Sequence, residues 1–409
     1  MISVPAHSQF TQYTAAGSLV EVPENKAERV QKGAESARWR LGRLRLEPHL
    51  TLSNVGYSQN VFSAPDETTR VDDSHATLGA GLAGYVRFGA KSMISGFVAP
   101  EYFWWQKSEN LRSLGVNSGL VWFGSFNRLT LSASASSIER ERLLSNEIEA
   151  PVQISDEDLT IDASVMLTRR LAVFAIQTNS RVRHGREVER FVPGLNLETL
   201  DRDNTRRTIG LELRGSDLEF GIGYEETDVD FVKTDSRDDT GEGPSVRLSY
   251  DRNRLNAYLT YADLKLDYED PAIPEGRQRI GRGLVSFRIR PDTTVSVYAA
   301  EGLAFTTISS TGIIETETRG LQLKQGFGRR LEASVFVEDG TQTFVDSDNP
   351  GRVDNLEAYG LRILFELTDN LALTGQLREE TWDSTFDDFD RSTSSVGFGI
   401  EFGGDLLPW

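Results

Sequence analysis

From Val246 to Tyr261 the chain reads VRLSYDRNRLNAYLTY, and oily and polar positions take turns. Val246, Leu248 and Tyr250 alternate with Arg247 and Ser249; Asp251 to Arg254 make a turn; Leu255, Ala257, Leu259 and Tyr261 then alternate with Asn256, Tyr258 and Thr260. Side chains of a strand point to opposite faces with a period of two, so this stretch predicts an antiparallel hairpin with one apolar and one polar face. The same unit recurs at a spacing of roughly 40 residues, within the range where a fixed period implies a repeating architecture.

The pattern begins at Arg43. Leu44 to Leu52 alternates and runs on to Phe62, Thr77 to Phe88 follows, and later hairpins turn at Thr168-Arg169-Arg170, Gly215-Ser216-Asp217, Pro291-Asp292, Gly328-Arg329-Arg330 and Thr368-Asp369-Asn370. The last strand carries Val396, Phe398, Ile400 and Phe402. About 18 strands of roughly 12 to 16 residues are expected, an even number and a length that suit a tilted membrane crossing with an extension beyond it. Short turns alternate with long charged links, such as Ser63–Asp73, Glu141–Asp158, His184–Asn204, Thr227–Gly243 and Asp339–Asp354. That asymmetry predicts an all-β fold: a single closed antiparallel transmembrane β-barrel with short periplasmic turns and long extracellular loops. The expected division is a polar N-terminal periplasmic segment at 1–42, the barrel at 43–402 and a tail at 403–409. Residues Glu24 to Arg38 are helix-permissive, so the first segment reads as a mobile tail on the periplasmic side or as a piece that folds into the pore or docks a partner. Two aromatic girdles are expected: Phe88, Phe123, Tyr250, Phe287, Phe327, Phe365 and Phe402 near the short turns, and Trp104, Trp105, Tyr224, Tyr268 and Trp382 near the long links.

Arg45 to Phe62, RLEPHLTLSNVGYSQNVF, resembles the opening strand of β-barrel porins found beside exopolysaccharide-export systems, with Gly56-Tyr57-Ser58-Gln59-Asn60-Val61-Phe62 as the motif. The resemblance implies an outer-membrane barrel that serves polysaccharide secretion, with a polysaccharide permeant and a periplasmic export partner. It brings no catalytic residues. The tail Gly403 to Trp409 departs from the pattern, since such barrels often end on the aromatic of their last strand.

Composition narrows the reading. Of 409 residues none is cysteine, which removes disulfides and thiolate metal sites, and the net charge of -18 excludes a nucleic-acid partner, which needs a basic footprint. No window approaches the uncharged apolar run of a membrane helix, and Met1 to Gly17 shows no signal peptide. The expected location is the bacterial outer membrane, with lipid and lipopolysaccharide as partners.

Candidate chemistry lies on the polar faces. Arg87, Arg214, Arg247, Arg288, Arg362 and Arg378 are expected to line the pore, where rings of charge select permeants by sign; Asp162, Glu212, Glu332, Glu338 and Glu401 stand among them and could neutralise them. Two acidic clusters, Glu225 to Glu242 and Asp383 to Asp390, read as a solvated outer rim or as points where divalent cations bridge loops. Asp346, Asp348, Asp354 and Glu357 follow the spacing of a calcium loop, with Gly351 at the turn but Pro350 where Asp or Asn belongs. No other cofactor is expected. Gly79-Ala80-Gly81-Leu82-Ala83-Gly84 copies a dinucleotide fingerprint inside a strand, with no helix after it, and His7, His49, His75 and His184 lack ligand spacing. No enzyme is predicted. The functions in play are a passive conduit for a secreted polysaccharide, a general diffusion porin, and a non-conducting scaffold that docks another envelope protein; a barrel hydrolase would need a Ser-His-acid group assembled from separate strands.

Overall fold

At four of the short turns, reversal of the chain rests on residues that tolerate a left-handed backbone. Asn127 (φ 54°) and Asn253 (φ 53°) occupy that region, as do Gly89 and Gly328, and positive φ matches the right-handed twist of the strands that flank a tight hairpin. The computed structural model describes residues 17, 26–61, 70–89, 91–142, 152–185, 196–234, 237–269, 276–306, 313–345, 351–386 and 389–403.

A helix, α1 (Lys26–Ser36), precedes a short strand, β1 (Trp39–Leu41). Then come β2 (Leu44–Gln59), β3 (Asp73–Phe88), β4 (Ser92–Trp105), β5 (Ser113–Phe126), β6 (Leu129–Arg142) and β7 (Val152–Met166). They are followed by β8 (Leu171–His184), β9 (Arg202–Arg214), β10 (Leu218–Phe231), β11 (Asp239–Arg252), β12 (Leu255–Tyr268) and β13 (Gly276–Arg290). The last six are β14 (Thr293–Phe305), β15 (Ile313–Phe327), β16 (Leu331–Val345), β17 (Val353–Thr368), β18 (Leu371–Ser384) and β19 (Arg391–Phe402). From β2 on, each strand pairs antiparallel with its sequence neighbours, and β19 returns to β2 with Phe402 opposite Leu50 and Phe398 opposite Val55. The sheet therefore closes on itself at 18 strands, as the alternation predicts, while β1 pairs only with the first residues of β2.

Hydrocarbon faces outward. Leu259, Ile363, Phe398 and Leu211 are exposed, whereas Tyr258 and Leu284 on the other face are buried. On β10 the outer row runs Leu218, Phe220, Ile222, Tyr224 and then turns acidic at Glu226, Asp228 and Asp230. At about 3.3 Å per residue and a tilt near 40°, Leu218 to Tyr224 covers roughly 15 Å of membrane. The belt is taller on β2 to β5: on β5 it extends from Leu114 through Val116 and Leu120 to Phe126, all exposed, roughly 30 Å by the same measure. Tyrosines mark its upper edge and bond to carboxylates above it. The Tyr57 hydroxyl donates to Asp72 at 2.7 Å, and Tyr224 and Tyr359 pair likewise with Glu242 and Glu379, as expected of a side chain with an apolar body and a polar tip at a membrane boundary.

Two expectations need correction. The strands reach further into the links than the alternation suggests, because Thr227 to Phe231, Asp239 to Gly243 and Glu379 to Ser384 are paired. Above the belt both faces meet polar surroundings, so the period-two contrast disappears while the hydrogen-bond ladder continues. The girdles also differ, since Phe123, Trp382 and Tyr268 pack against inner clusters. Phe123 and Trp382 hold the opposite parity to the outward residues of their own strands.

Candidate functional site

The lumen is the site, and three structures occupy it. At the end bearing the longer links, an apolar cluster joins Val152 and Ile154 of β7, Val182 of β8, Val229 and Phe231 of β10, Leu264 and Leu266 of β12, Ile280 of β13, and Leu303 and Phe305 of β14. The link before β9 folds onto it, with Leu197 and Leu200 fully buried in a short 3-10 turn. Arg237 laces the links together by donating to the backbone oxygens of Thr306 (3.0 Å) and Thr199 (3.4 Å), and Phe231 meets Phe305 edge to face at 4.8 Å. Strands as far apart in the sheet as β7 and β14 share this cluster, so it caps that part of the mouth.

Against the opposite wall lies α1. Val30, Ala34 and Ala37 pack on inward residues of β3 to β5, namely Ala83, Tyr85, Met93, Phe97, Ala99 and Val121. Small residues at 33, 34 and 37 let the helix lie close; a side chain at Gly33 would strike the Tyr85 hydroxyl at 2.5 Å. Arg45 donates to the Ala34 carbonyl at 2.6 Å, and Glu47 accepts the Arg38 backbone N–H at 2.8 Å. The helix of this segment thus lies against inward-facing residues of the wall. Further back in the chain, Gly17 donates its N–H to Glu338 on β16 at 2.9 Å.

The third structure is a set of side chains that lie flat on the inner wall by crossing glycines. Gly221 of β10 sits opposite Glu212 of β9 and Arg247 of β11. A Cβ there would meet Arg247 at 2.7 Å, so glycine alone lets the guanidinium cross β10 and bond Glu212. Arg214 bonds the same carboxylate, and Arg247 stacks on Phe174 with its guanidinium carbon 3.6 Å from the ring centre, an arrangement that favours a cation over an aromatic face. The device repeats at Tyr298 of β14, which crosses Gly320 of β15 to donate to Glu338 at 2.7 Å.

Of the six arginines expected to line the pore, Arg214 and Arg247 share Glu212, and Arg378 bonds Glu380. Arg87, Arg288 and Arg362 are exposed on inward positions nearer the short turns, with no ion pair among the described residues. The acidic clusters are partly engaged as well: Glu225 is buried and takes Arg206 at 2.7 Å, which is not a solvated rim. Of the calcium-loop residues, Asp346 and Asp348 lie outside the described residues. Asp354 faces inward, buried, bound by Arg352 at 2.6 Å and by the Ser384 hydroxyl. Glu357 is exposed on the opposite face of β17, so one cation does not reach both. Among the described residues no cluster of three or more His, Asp or Glu side chains is arranged to hold a metal ion. Arg352 itself is fully buried between the rings of Phe344 (4.1 Å) and Phe389 (3.5 Å). The alternation gave no sign of α1's contacts or of the glycine crossings; the signal available was an inward glycine flanked by Arg and Glu on its two neighbours.

Comparison with known proteins agrees with this architecture. The family model described as "Putative beta-barrel porin 2" matches residues 261–403, about a third of the chain. No curated protein matches it. Among solved structures, OccAB3 of Acinetobacter baumannii is 10% identical, with 88% of this chain and 99% of that one aligned at a TM-score of 0.51. OpdK of Pseudomonas aeruginosa, solved with vanillate, is 11% identical over 88% and 99% at 0.52. A BenF-like porin of Pseudomonas fluorescens Pf-5 is 10% identical over 89% and 100% at 0.52. At such identities the structural likeness speaks for the fold, and with the outward belt and the closed sheet it gives one conclusion. The chain is a closed 18-stranded β-barrel with an apolar outer belt, similar in fold to these porins.

Proposed function

We propose that this barrel is a passive diffusion porin for small hydrophilic solutes, with a preference for anions set at its short-turn mouth. The observation that carries the reading is the distribution of charge on the inner wall. Arg214, Arg247 and Arg378 are paired with Glu212 and Glu380, whereas Arg87, Arg288 and Arg362, nearer the short turns, have no ion pair among the described residues. Unpaired guanidinium groups on the low-dielectric wall of a water-filled channel concentrate anions and repel cations. The polysaccharide conduit implied by the opening strand has weaker support, because a lumen shared by an apolar cap and a helix suits a small solute better than a polymer. The short turns are assigned to the periplasm and the longer, acidic links to the cell exterior.

Reversal potentials in planar bilayers under a salt gradient, together with swelling of proteoliposomes in sugars of increasing size, test the proposal. Anion-selective current and uptake limited to small sugars are expected. A folded barrel that passes neither ions nor monosaccharides would overturn it.

A further inference from the structure

Beyond Ser118 opposite Ser137, toward the longer links, the β5–β6 ladder has no further rung. Both strands continue, β5 paired with β4 as far as Ser113 and β6 paired with β7 as far as Arg142. At about 3.3 Å per residue and a tilt near 40°, the stretch from Ser113 to Asn117 leaves a seam roughly 12 Å deep in the wall. Among the described residues a comparable break lies between β13 and β14, beyond Gly281 opposite Glu301, but there Leu303 and Phe305 turn into the apolar cap and close it. We propose that the β5–β6 seam is a latched side door between the lumen and the membrane leaflet on the long-link side, used by an amphiphile with one alkyl chain and an uncharged polyhydroxy head. The door does not require that the barrel conduct ions.

The height of the seam sets what lies outside it. Leu114 and Val116 on the β5 flank are exposed outward positions level with Tyr102 and Pro100, so this flank borders hydrocarbon, while on β6 the outward row passes from Ala135 to Ser137 and Glu139. Backbone groups at such a depth must find partners within the protein, and side chains supply them here in place of a ladder. The Glu139 carboxylate accepts the Val116 N–H at 3.0 Å, and the Asn117 side-chain oxygen accepts the Glu139 N–H at 3.0 Å. Such a latch opens by rotation of two side chains and leaves the ladders on either side intact. Inside, α1 covers the wall at Val121; beyond it the inward positions beside the seam are Gly115 and Gly119 on β5 and Ser132, Ser134 and Ser136 on β6. No large side chain stands at these positions, and the serine hydroxyls suit a polyhydroxy head. Asp162, opposite Ser132, and Glu101, whose carboxylate bonds Asn117, accept from hydroxyl groups and repel an anionic head.

The test locks the seam. A Cβ at Gly115 would lie 3.4 Å from that of Glu139, close to the span of about 3.8 Å that a disulfide bridges, and the chain has no cysteine of its own. The full chain and its Gly115→Cys/Glu139→Cys variant are refolded into phospholipid vesicles, with folding checked by heat-modifiable migration on gels. Trace dodecyl glucoside carrying a photoreactive diazirine on the sugar is added, and the labelled residues are mapped by mass spectrometry. Label is expected on Ser132, Ser134 or Ser136, falling to background in the oxidised pair and returning on reduction. Glucose with the same diazirine and no tail should label these serines equally in both states. Glu139→Ala, which removes one hydrogen bond of the latch, should raise labelling by the tailed probe about fivefold. Equal labelling of oxidised and reduced pairs by the tailed probe, label confined to outward residues, a pair that does not oxidise, or no rise in Glu139→Ala would each overturn the door. So would loss of the tailless label on oxidation, since the lock would then act on the lumen itself. Absence of tailless label in both states, with the tailed probe still reaching the serines, would instead count against the porin reading and leave the door standing.

Discussion

Glu212 holds two arginines at once, and replacing it with Gln changes the charge of the inner wall with little change in shape. Glu212, Arg214 and Arg247 together carry one net positive charge; Glu212→Gln raises it to two, while the amide oxygen still accepts from one guanidinium. For a permeant anion about 6 Å away in a water-filled channel, the added unit charge is worth about 0.7 kcal/mol, reduced by screening at 0.1 M salt to about 0.4 kcal/mol. A cation loses the same amount, so the ratio of anion to cation permeability should rise about fourfold. At 1 M salt, where the Debye length is about 3 Å, the change should shrink to less than about 1.5-fold. Reversal potentials of the two proteins, measured at both salt concentrations, read this directly. A folded, conducting Glu212→Gln barrel with an unchanged permeability ratio at low salt would show that these groups do not face the permeation path.

Three further outcomes follow from the packing. Leu361 and Glu357 both point outward on β17, the first within the belt and the second above it. Leu361→Arg should cost roughly 2–4 kcal/mol in reversible urea refolding into lipid and Glu357→Arg less than about 1; equal costs would refute the assigned membrane level. Arg352→Ala leaves Asp354 as an uncompensated buried charge and removes the stack between Phe344 and Phe389, for an expected loss of about 3–5 kcal/mol, checked by the same refolding. Asp72, in the link after β2, is held below the ordinary carboxylate range chiefly by the Tyr57 hydroxyl and next by the Asn60 N–H. Its folded value lies below its unfolded one, so the stabilisation of this link is present above the unfolded pKa and is lost as pH falls through the folded pKa. Protection of the Asn60 amide from hydrogen exchange should fall across that window, and Tyr57→Phe should shift the fall to higher pH. Protection that does not change with acidification would count against the assignment.

What the sequence disclosed tracks where the environment differs across the sheet. Between Leu255 and Tyr261 one face meets lipid and the other the lumen, and alternation is plain. Between Asp263 and Asp267 the outward residues meet water while Leu264 and Leu266 enter the apolar cap, so the oily face changes sides and the alternation seen up to Tyr261 no longer marks the lipid side. Trp382 reads as a girdle residue from its distance along the strand, yet its parity relative to Leu371, Leu373 and Leu377 already turns it inward. The docking of α1 was illegible for a different reason: its partners, from Ala83 to Val121, are spread over three strands, and no local pattern records which helix a wall of small and aromatic side chains will accept. The Glu212 pairings lay between these extremes, since Arg and Glu are visible at inward positions but their meeting depends on the missing side chain of Gly221.

The unequal height of the greasy skirt has a consequence for the lipids. Along β2 to β5 it exceeds the thickness of an ordinary outer-membrane core, and along β10 it falls short, so no upright pose in a flat bilayer suits both sides. Acyl chains must stretch beside the first four crossings and crouch beside the later ones, or the cylinder must lean toward its shorter flank, at a fraction of a kcal/mol for each ångström left unmatched. The surrounding membrane is thereby drawn into a lopsided collar, and neighbours that relieve its thick side gain a preferred place to sit.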